Sequence, residues 1–442
     1  MDDDRKLPEG LAVPGGRTAR LLRFGTLVSG IAGGMMADGV RQLASGRRPR
    51  LTDLVLTPAN ALRLTEQLSR LRGAAMKLGQ LLSLDAGDLL PPELSAILAQ
   101  LRADARPMPL RQLDRALVAG WGSDWADRLA HFDRRPFAAA SIGQVHRALT
   151  KSGRDLAIKV QYPGIARSID SDVDNVATLL KLSGLLPRHI DIAAILTEAK
   201  VQLHQEADYA REGAMLARFG KLLAGDKRFA VPRRYAPLSG GTILAMDYLP
   251  GVAVDSITDA PQAVRDAVAH ALCELVLREL FDFALMQTDP NFANYQYDAA
   301  SGRIILLDFG ATRAIPAAVV DGYRNLLTAA MRQDRAAVRT AIDALGLASA
   351  RAFARHPAEM DRIIGTLLDL FAREGAIDFG DRNLTAALRD ETLTIAADRD
   401  NWSIPPADAL FIQRKLGGTF LLAARLGARI DVRAMMAAFI KP

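Results

Sequence analysis

Cysteine is nearly missing from the 442-residue chain; Cys273 is the single one. An internal disulfide framework and a cysteine-rich zinc site are therefore excluded. Cys273 lies in the apolar run Ala271-Leu272-Cys273-Glu274-Leu275-Val276-Leu277, which predicts a buried structural thiol. Aromatic residues are scarce at 6%, and no basic stretch is interleaved with them. Nucleic acid is thus a poor partner for this chain, and no nucleic-acid binding is expected. Long apolar runs are missing too. The best, residues 27–37, is 11 residues long, glycine-rich and closed by Asp38, whereas a helical span needs about 20. The start, Met1-Asp2-Asp3-Asp4, is acidic, unlike a secretory signal or a mitochondrial transit peptide. These absences predict a cytoplasmic, bacterial protein.

What is present is a globular composition, half apolar and 24% charged. The length exceeds one ordinary core, so two packed lobes with extensions are expected. The net charge of +6 favours anionic partners, such as nucleotide phosphates or an anionic membrane surface. Residues 1–50 read as a flexible basic leader. In it, Arg17, Arg20, Arg23, Arg41, Arg47, Arg48 and Arg50 surround the apolar stretch. Such a segment can lie on an anionic membrane face, peripheral on the inner membrane, or can simply pack on the domain. Leu62, Leu64, Leu68 and Leu71 recur at near-helical spacing, and residues 51–118 read as a helical extension. The texture then turns to short β-type runs, notably Leu156-Ala157-Ile158-Lys159-Val160-Gln161, stopped by Pro163-Gly164. A helical stretch over 165–224 and strands near 228–232 and 242–248 complete a first lobe, 119–249. Residues 250–442 read as a helical second lobe with one β interruption at 304–307.

Four separated pieces occur in one order. The first is Ala138-Ala139-Ala140-Ser141-Ile142-Gly143-Gln144-Val145. It aligns with the G-x-G-x-x-G-x-V loop whose amides cover ATP phosphates in protein kinases, with Ala138 and Ala140 in two glycine positions and Gly143 in the third. A Cβ restricts positive φ and holds a ligand further from the backbone. The second is Lys159, 14 residues beyond Val145 and in an apolar strand with Ala157. Buried without a partner it is costly; Glu206 is the predicted partner. The third is Asp289-Pro290-Asn291-Phe292-Ala293-Asn294, with Asp and Asn five residues apart. That spacing lets a carboxylate face a nucleophile while a carboxamide turns to a metal. Gln287-Thr288 stands where His-Arg is usual. The fourth is Leu306-Leu307-Asp308-Phe309-Gly310, 14 residues beyond Asn294, a strand delivering a hard oxygen ligand for Mg²⁺. Met246-Asp247-Tyr248-Leu249 is the expected hinge, its backbone reading adenine. A second Asp378-Phe379-Gly380 lacks an upstream strand and reads as a loop or cap. Singly, each piece has a bland reading: a packed alanine turn, a lysine snorkelling from a sheet edge, an Asp-Pro turn with an Asn cap. No Ala-Pro-Glu follows Asp308, so a protein-substrate platform is not expected.

The chain resembles the UbiB-like atypical kinases from about residue 70 onward. The resemblance rests on Arg72-Gly73-Ala74-Ala75-Met76-Lys77-Leu78-Gly79-Gln80, Pro136 through His146, Ser171-Asp172-Val173-Asp174-Asn175, Met286 through Asn294 and Leu306 through Arg313. It implies an α+β, protein-kinase-like two-lobe fold, with a helical N-terminal extension packed over the active site. It implies regulatory roles for Lys77, Gly79 and Gln80 of the Lys-x-Gly-Gln segment, and for Asp208 contacting that segment. By the same resemblance Asp289, Lys159 and Glu206 are catalytic. Ala138, Ala139, Ala140, Ser141, Gly143, Val145, Ala157, Lys159, Met246, Asp247, Tyr248 and Leu249 bind ATP. Asn294 and Asp308 hold Mg²⁺, for which Mn²⁺ can substitute. The implied partners are ATP and ADP, isoprenoid or quinone-precursor lipids, and ubiquinone-biosynthesis enzymes. The implied activity is ATP hydrolysis, or phosphate transfer to a small or lipid-linked acceptor. The alternative is a nucleotide-switched scaffold without turnover.

Overall fold

A computed structural model describes residues 73–75, 77, 107–140, 142–182, 193–348, 350–381 and 406–440. The leader over 1–50, most of the expected extension, Ser141, Gly79 and Gln80 lie outside the described residues. The elements, in chain order, are α1 (Leu110–Trp121), β1 (Leu129–Phe132), β2 (Ala138–Ala139), β3 (Gly143–Thr150), β4 (Asp155–Gln161), α2 (Ile165–Leu182), α3 (Ala193–Glu206), α4 (Tyr209–Leu222), β5 (Phe229–Ala230), β6 (Ile243–Asp247) and β7 (Val252–Ala253). There follow α5 (Gln262–Phe281), β8 (Leu285–Gln287), β9 (Tyr295–Asp298), β10 (Arg303–Leu306), β11 (Thr312–Ala314), α6 (Ala317–Met331), α7 (Arg335–Ala344), α8 (Ala350–Arg355), α9 (Pro357–Ala372), β12 (Ile377–Asp378), α10 (Ala407–Arg425), β13 (Arg429–Ile430) and α11 (Val432–Ala437).

The chain divides into two compact units, Met1–Gly213 with Arg234–Tyr248, and Ala214–Arg233 with Leu249–Pro442. The division differs from the expected boundaries in two places. Helix α1 runs across residue 118, where the extension was expected to end, and packs Leu113, Leu117 and Trp121 into the core of the first unit. Residues 214–233 belong to the second unit, because β5 pairs in parallel with β10 there.

The first unit is built on a five-stranded antiparallel sheet. Its order is β1-β3-β4-β6, with β2 added onto β3. Every residue of β4 from Leu156 to Gln161 is buried, as expected of a strand covered on both faces. Ile158 and Val160 join the core with Ile165, Ile169 and Val173 of α2 and Leu203 of α3.

In the second unit β5, β10, β9 and β7 form one four-stranded sheet, and β8 and β11 form a two-stranded ribbon. The expectation of one β interruption after residue 260 was too sparse. Strands of three or four residues carry too little periodicity to be seen in sequence. Val276 and Leu280 of α5, Met286 of β8, Ile315, Val320 and Tyr323 of α6, Leu345 and Ile412 of α10 make a core cluster. Ile377 and Asp378 pair with Ile430 and Arg429 of β13, and Phe379 is buried. The Asp of this second Asp-Phe-Gly therefore ends a two-residue strand, where the sequence reading had a loop or cap, and only Phe379 and Gly380 are turn residues. Burial pushes the Cys273 thiol on α5 up to about 12, so it stays protonated at neutral pH.

Candidate active site

The first unit brings four of the predicted residues to one face of its sheet. Directly opposed residues of an antiparallel pair point the same way. Val145 opposes Lys159, and Ala157 opposes Met246. Ala157 and Lys159, two apart on β4, share that face, while Ile158 and Val160 point into the core. The alanine loop is a strand-turn-strand, as expected. Ala138 pairs with Val145, Ala139 with Gln144, and the Ala140 N–H donates to Gly143 O at 2.9 Å. Ala138 and Ala139 are exposed.

Gly143 is required here by close approach. A Cβ on it would lie 2.4 Å from Val160 O and 2.7 Å from the Tyr209 hydroxyl. Behind the loop, buried Gln144 accepts from the Met108 N–H at 2.8 Å and meets His146 Nε2 at 2.8 Å. His146 Nδ1 lies 2.8 Å from Asp133 O, and the ring stacks on Phe132 at 5.0 Å. Burial lowers the His146 pKa, so the imidazole is a neutral brace. Sequence reading missed this pair.

Lys159 is buried, and its ammonium reaches both carboxylate oxygens of Glu212, at 2.8 and 2.9 Å. The Tyr209 ring lies 5.1 Å away. Glu206, the expected partner, instead accepts from Lys77 Nζ at 2.6 Å. The reason is the helix break between α3 and α4. Glu206 ends α3, and Asp208 starts a new helix by accepting from the Arg211 N–H at 2.9 Å. That restart turns Glu212, in the first turn of α4, toward β4. Asp208 is thus a helix cap. Of the Lys-x-Gly-Gln segment that Asp208 was expected to contact, only Lys77 lies among the described residues.

The hinge segment is held at two points. The Asp247 carboxylate accepts from Arg154 Nε at 2.7 Å, and the Tyr248 N–H donates to Asp155 O at 3.0 Å. Both contacts fix the end of β6. The Tyr248 ring meets Phe137 edge-on at 5.6 Å. Leu249 is the first residue of this stretch in the second unit.

In the second unit, Asp289, Asn294 and Asp308 are brought together by strand pairing. Gln287 of β8 opposes Thr312 of β11. Beyond the ribbon, the Thr288 N–H and hydroxyl both donate to Ala311 O, at 3.1 and 2.7 Å. At the far end the Leu307 N–H donates to Asn294 O at 3.0 Å. The loop 288–294 is therefore tied to 307–311 at both ends. Asp289 Oδ1 accepts from the Asn291 N–H at 3.2 Å, and Asp308 Oδ1 from the Gly310 N–H at 2.8 Å. Both are aspartate turns that fix carboxylate orientation. Phe309 is buried against Phe219, ring centroids 4.7 Å apart. Asn294 is buried, and its Nδ2 has no hydrogen-bond partner among the described residues. An orphaned buried amide beside two aspartates suits a site waiting for a ligand. No cluster of three or more His, Cys, Asp or Glu capable of holding a metal exists among the described residues. This donor set fits Mg²⁺, which takes one or two carboxylates and completes its shell with water and phosphate.

Comparison with known proteins shows the family. Residues 100–342 match the ABC1 atypical kinase-like domain. The chain is 38% identical over 426 residues to the atypical kinase COQ8B, mitochondrial, of Rattus norvegicus, covering 95% of this chain and 80% of that one. It is 35% identical over 422 residues to the atypical kinase COQ8, mitochondrial, of Saccharomyces cerevisiae, covering 95% and 84%. A solved Mycobacterium tuberculosis protein, in complex with erythromycin, matches in fold with a TM-score of 0.60 at 24% identity, over 87% of this chain and 97% of that one. On the match to that domain over more than half of the chain and on these relatives, the chain belongs to the ABC1/UbiB family of atypical kinases.

Proposed function

We propose that the chain binds MgATP and hydrolyses it, or transfers its phosphoryl group to a small or lipid-linked acceptor, in support of ubiquinone (coenzyme Q) biosynthesis. The observation that carries this reading is the Asp289–Asn294 loop, tied at both ends to the Asp308 segment. Lys159, oriented by two bonds to Glu212, takes the α- and β-phosphates. Asn294 and Asp308 hold Mg²⁺, which offsets the negative charge gathering on the transferred group. Asp289, its carboxylate pinned by the Asn291 N–H, orients water or a hydroxyl and accepts its proton. Ala138 and Ala140 add methyl groups to a loop that elsewhere carries glycine, so the phosphates meet the backbone at a greater distance. That lowers turnover with bulky acceptors and favours hydrolysis or a small acceptor. Names such as COQ8 among the relatives and the motif resemblance support the quinone-pathway assignment. Isoprenoid or quinone-precursor lipids, ubiquinone-biosynthesis enzymes and an anionic membrane surface are the proposed partners. Among the described residues no helix is long and apolar enough to cross a membrane. Attachment at a surface is the proposed mode, on the net charge of +6 and the arginines of residues 17–50.

The test is ATP hydrolysis by the purified protein, with and without anionic liposomes carrying a quinone-precursor mimic, beside Asp289→Asn. Turnover that rises with lipid and disappears in Asp289→Asn is expected. Tight MgATP binding with no turnover under any condition would replace this reading with a nucleotide-switched scaffold.

A further inference from the structure

The second unit buries a lysine that no motif of the sequence accounts for. Lys415, on α10, is 1% exposed. Its ammonium donates to Gln287 Oε1 at 2.8 Å and to the Tyr295 hydroxyl. These two acceptors are the residues immediately outside the loop 288–294: Gln287 ends β8 and Tyr295 begins β9. One cation therefore grips both stems of the loop that carries Asp289 and Asn294. One helical turn further along α10, Gly418 lies against the same loop. A Cβ there would come within 2.3 Å of Pro290 Cβ, so Lys415 and Gly418 present one face of the helix directly to it.

The nearest carboxylate is Glu279 of α5, 2% exposed and 3.9 Å from Lys415 Nζ. That separation is too long for a hydrogen bond. Glu279 Oε2 has no hydrogen-bond partner among the described residues, and the Gln287 N–H supports the carboxylate. The directional bonds of Lys415 thus go to the loop stems, and Glu279 supplies the compensating charge from behind. A lysine kept merely to neutralise Glu279 would turn its N–H groups to the carboxylate instead. Gln287-Thr288 stands where protein kinases carry His-Arg, and the cation missing from that position arrives here from the C-terminal helix.

We propose that Lys415 is a positioning residue for the Asp289–Asn294 loop: by holding Gln287 and Tyr295 together it fixes the separation of the two loop stems, and so the orientation at which Asp289 meets the nucleophile and Asn294 the metal. The inference rests on the reading of Asp289 given above. It assigns Lys415 no contact with nucleotide, so its removal acts on turnover and leaves affinity in place.

The experiment uses the full chain in six forms: wild type, Asp289→Asn, Lys415→Met, Gln287→Leu, Lys415→Met combined with Gln287→Leu, and Lys415→Met combined with Glu279→Gln. The last removes both buried charges together, which guards against a simple folding failure. Melting temperature, affinity for a fluorescent MgATP analogue, kcat and KM are measured for each. The double-charge variant should bind nucleotide within about twofold of wild type and lose ~10–100-fold in kcat, the scale at which a misplaced catalytic group acts. Lys415→Met and Gln287→Leu should be non-additive in kcat, because one acts through the other. A folded double-charge variant with wild-type kcat, while Asp289→Asn is inactive, overturns the role of Lys415 alone. Turnover that survives in Asp289→Asn, or a wild type with none, overturns the reading of Asp289 and the role of Lys415 with it.

Discussion

Lys159 and Glu212 form a two-point pair in which one buried ammonium meets both oxygens of one carboxylate, at 2.8 and 2.9 Å. Breaking a buried pair by neutralising one partner leaves the other charge uncompensated, at a cost of roughly 3–5 kcal/mol. Glu212→Gln should therefore lower the melting temperature and weaken MgATP binding more than Glu206→Gln does. Calorimetric melts and nucleotide titration compare the two, and equal losses would dissolve the assignment of Glu212 to Lys159.

Lys77 and Glu206 make a separate pair at 2.6 Å, with side chains 3% and 13% exposed. Because the pair is mostly out of water, its charges should be coupled more strongly than a surface pair. In a cycle of Lys77→Met and Glu206→Gln, the coupling in unfolding free energy should fall at about 1–3 kcal/mol. Additive single effects would show that the contact contributes nothing specific.

Gly143 tests whether the alanine loop needs its last glycine for space. A Cβ there meets Val160 O at 2.4 Å, and backbone on a central strand moves little. Gly143→Ala should cost about 1–3 kcal/mol by overpacking. Gly153, at φ +83° in the β3–β4 turn with no atom close to a Cβ, gives the contrast: Gly153→Asn should cost under about 1 kcal/mol, since asparagine tolerates that conformation. Denaturant melts decide both, and a Gly143→Ala protein as stable as wild type would mean β4 yields.

Burial raises the Glu279 carboxyl to about 7, despite the Lys415 charge beside it and the Gln287 N–H. Burial likewise raises Tyr295. Burial pulls Lys415 down, but the charges of Glu279 and Tyr295 outweigh it and hold the ammonium above the usual lysine range. Glu279 on α5 faces Lys415 on α10, with Tyr295 of β9 against that lysine and Asp289 contributing to it. A carboxyl with a raised folded-state pKa favours the folded state most at low pH. That contribution fades between the unfolded value of 4.5 and about 7. Across pH 5 to 8, the melting temperature of Glu279→Gln relative to wild type should therefore shift upward. A flat difference would show that Glu279 ionises normally.

Sequence alone carried the two-lobe plan and the loop spacings, because the alanine turn, Asp-x₄-Asn and Asp-Phe-Gly are local and keep their order. It misplaced the lysine partner, because the restart of helix at Asp208 rotates Glu212 rather than Glu206 toward β4, and spacing does not register a helix break. It placed 228–232 in the first lobe, since β5 is claimed by β10 from more than seventy residues away. Lys415 was invisible for another reason. Gln413-Arg414-Lys415 reads as an exposed polar stripe, and only packing shows that Arg414 and Lys415 are buried.

The contact of Gly418 with Pro290 bears on heredity. A stop codon ahead of residue 407 would leave every recognisable motif of the gene intact. It would nonetheless remove the helix against which the Asp289–Asn294 loop rests. Alleles that end late should therefore segregate as loss-of-function rather than as harmless shortened tails. A screen for tolerated missense changes should find position 418 closed to everything but glycine.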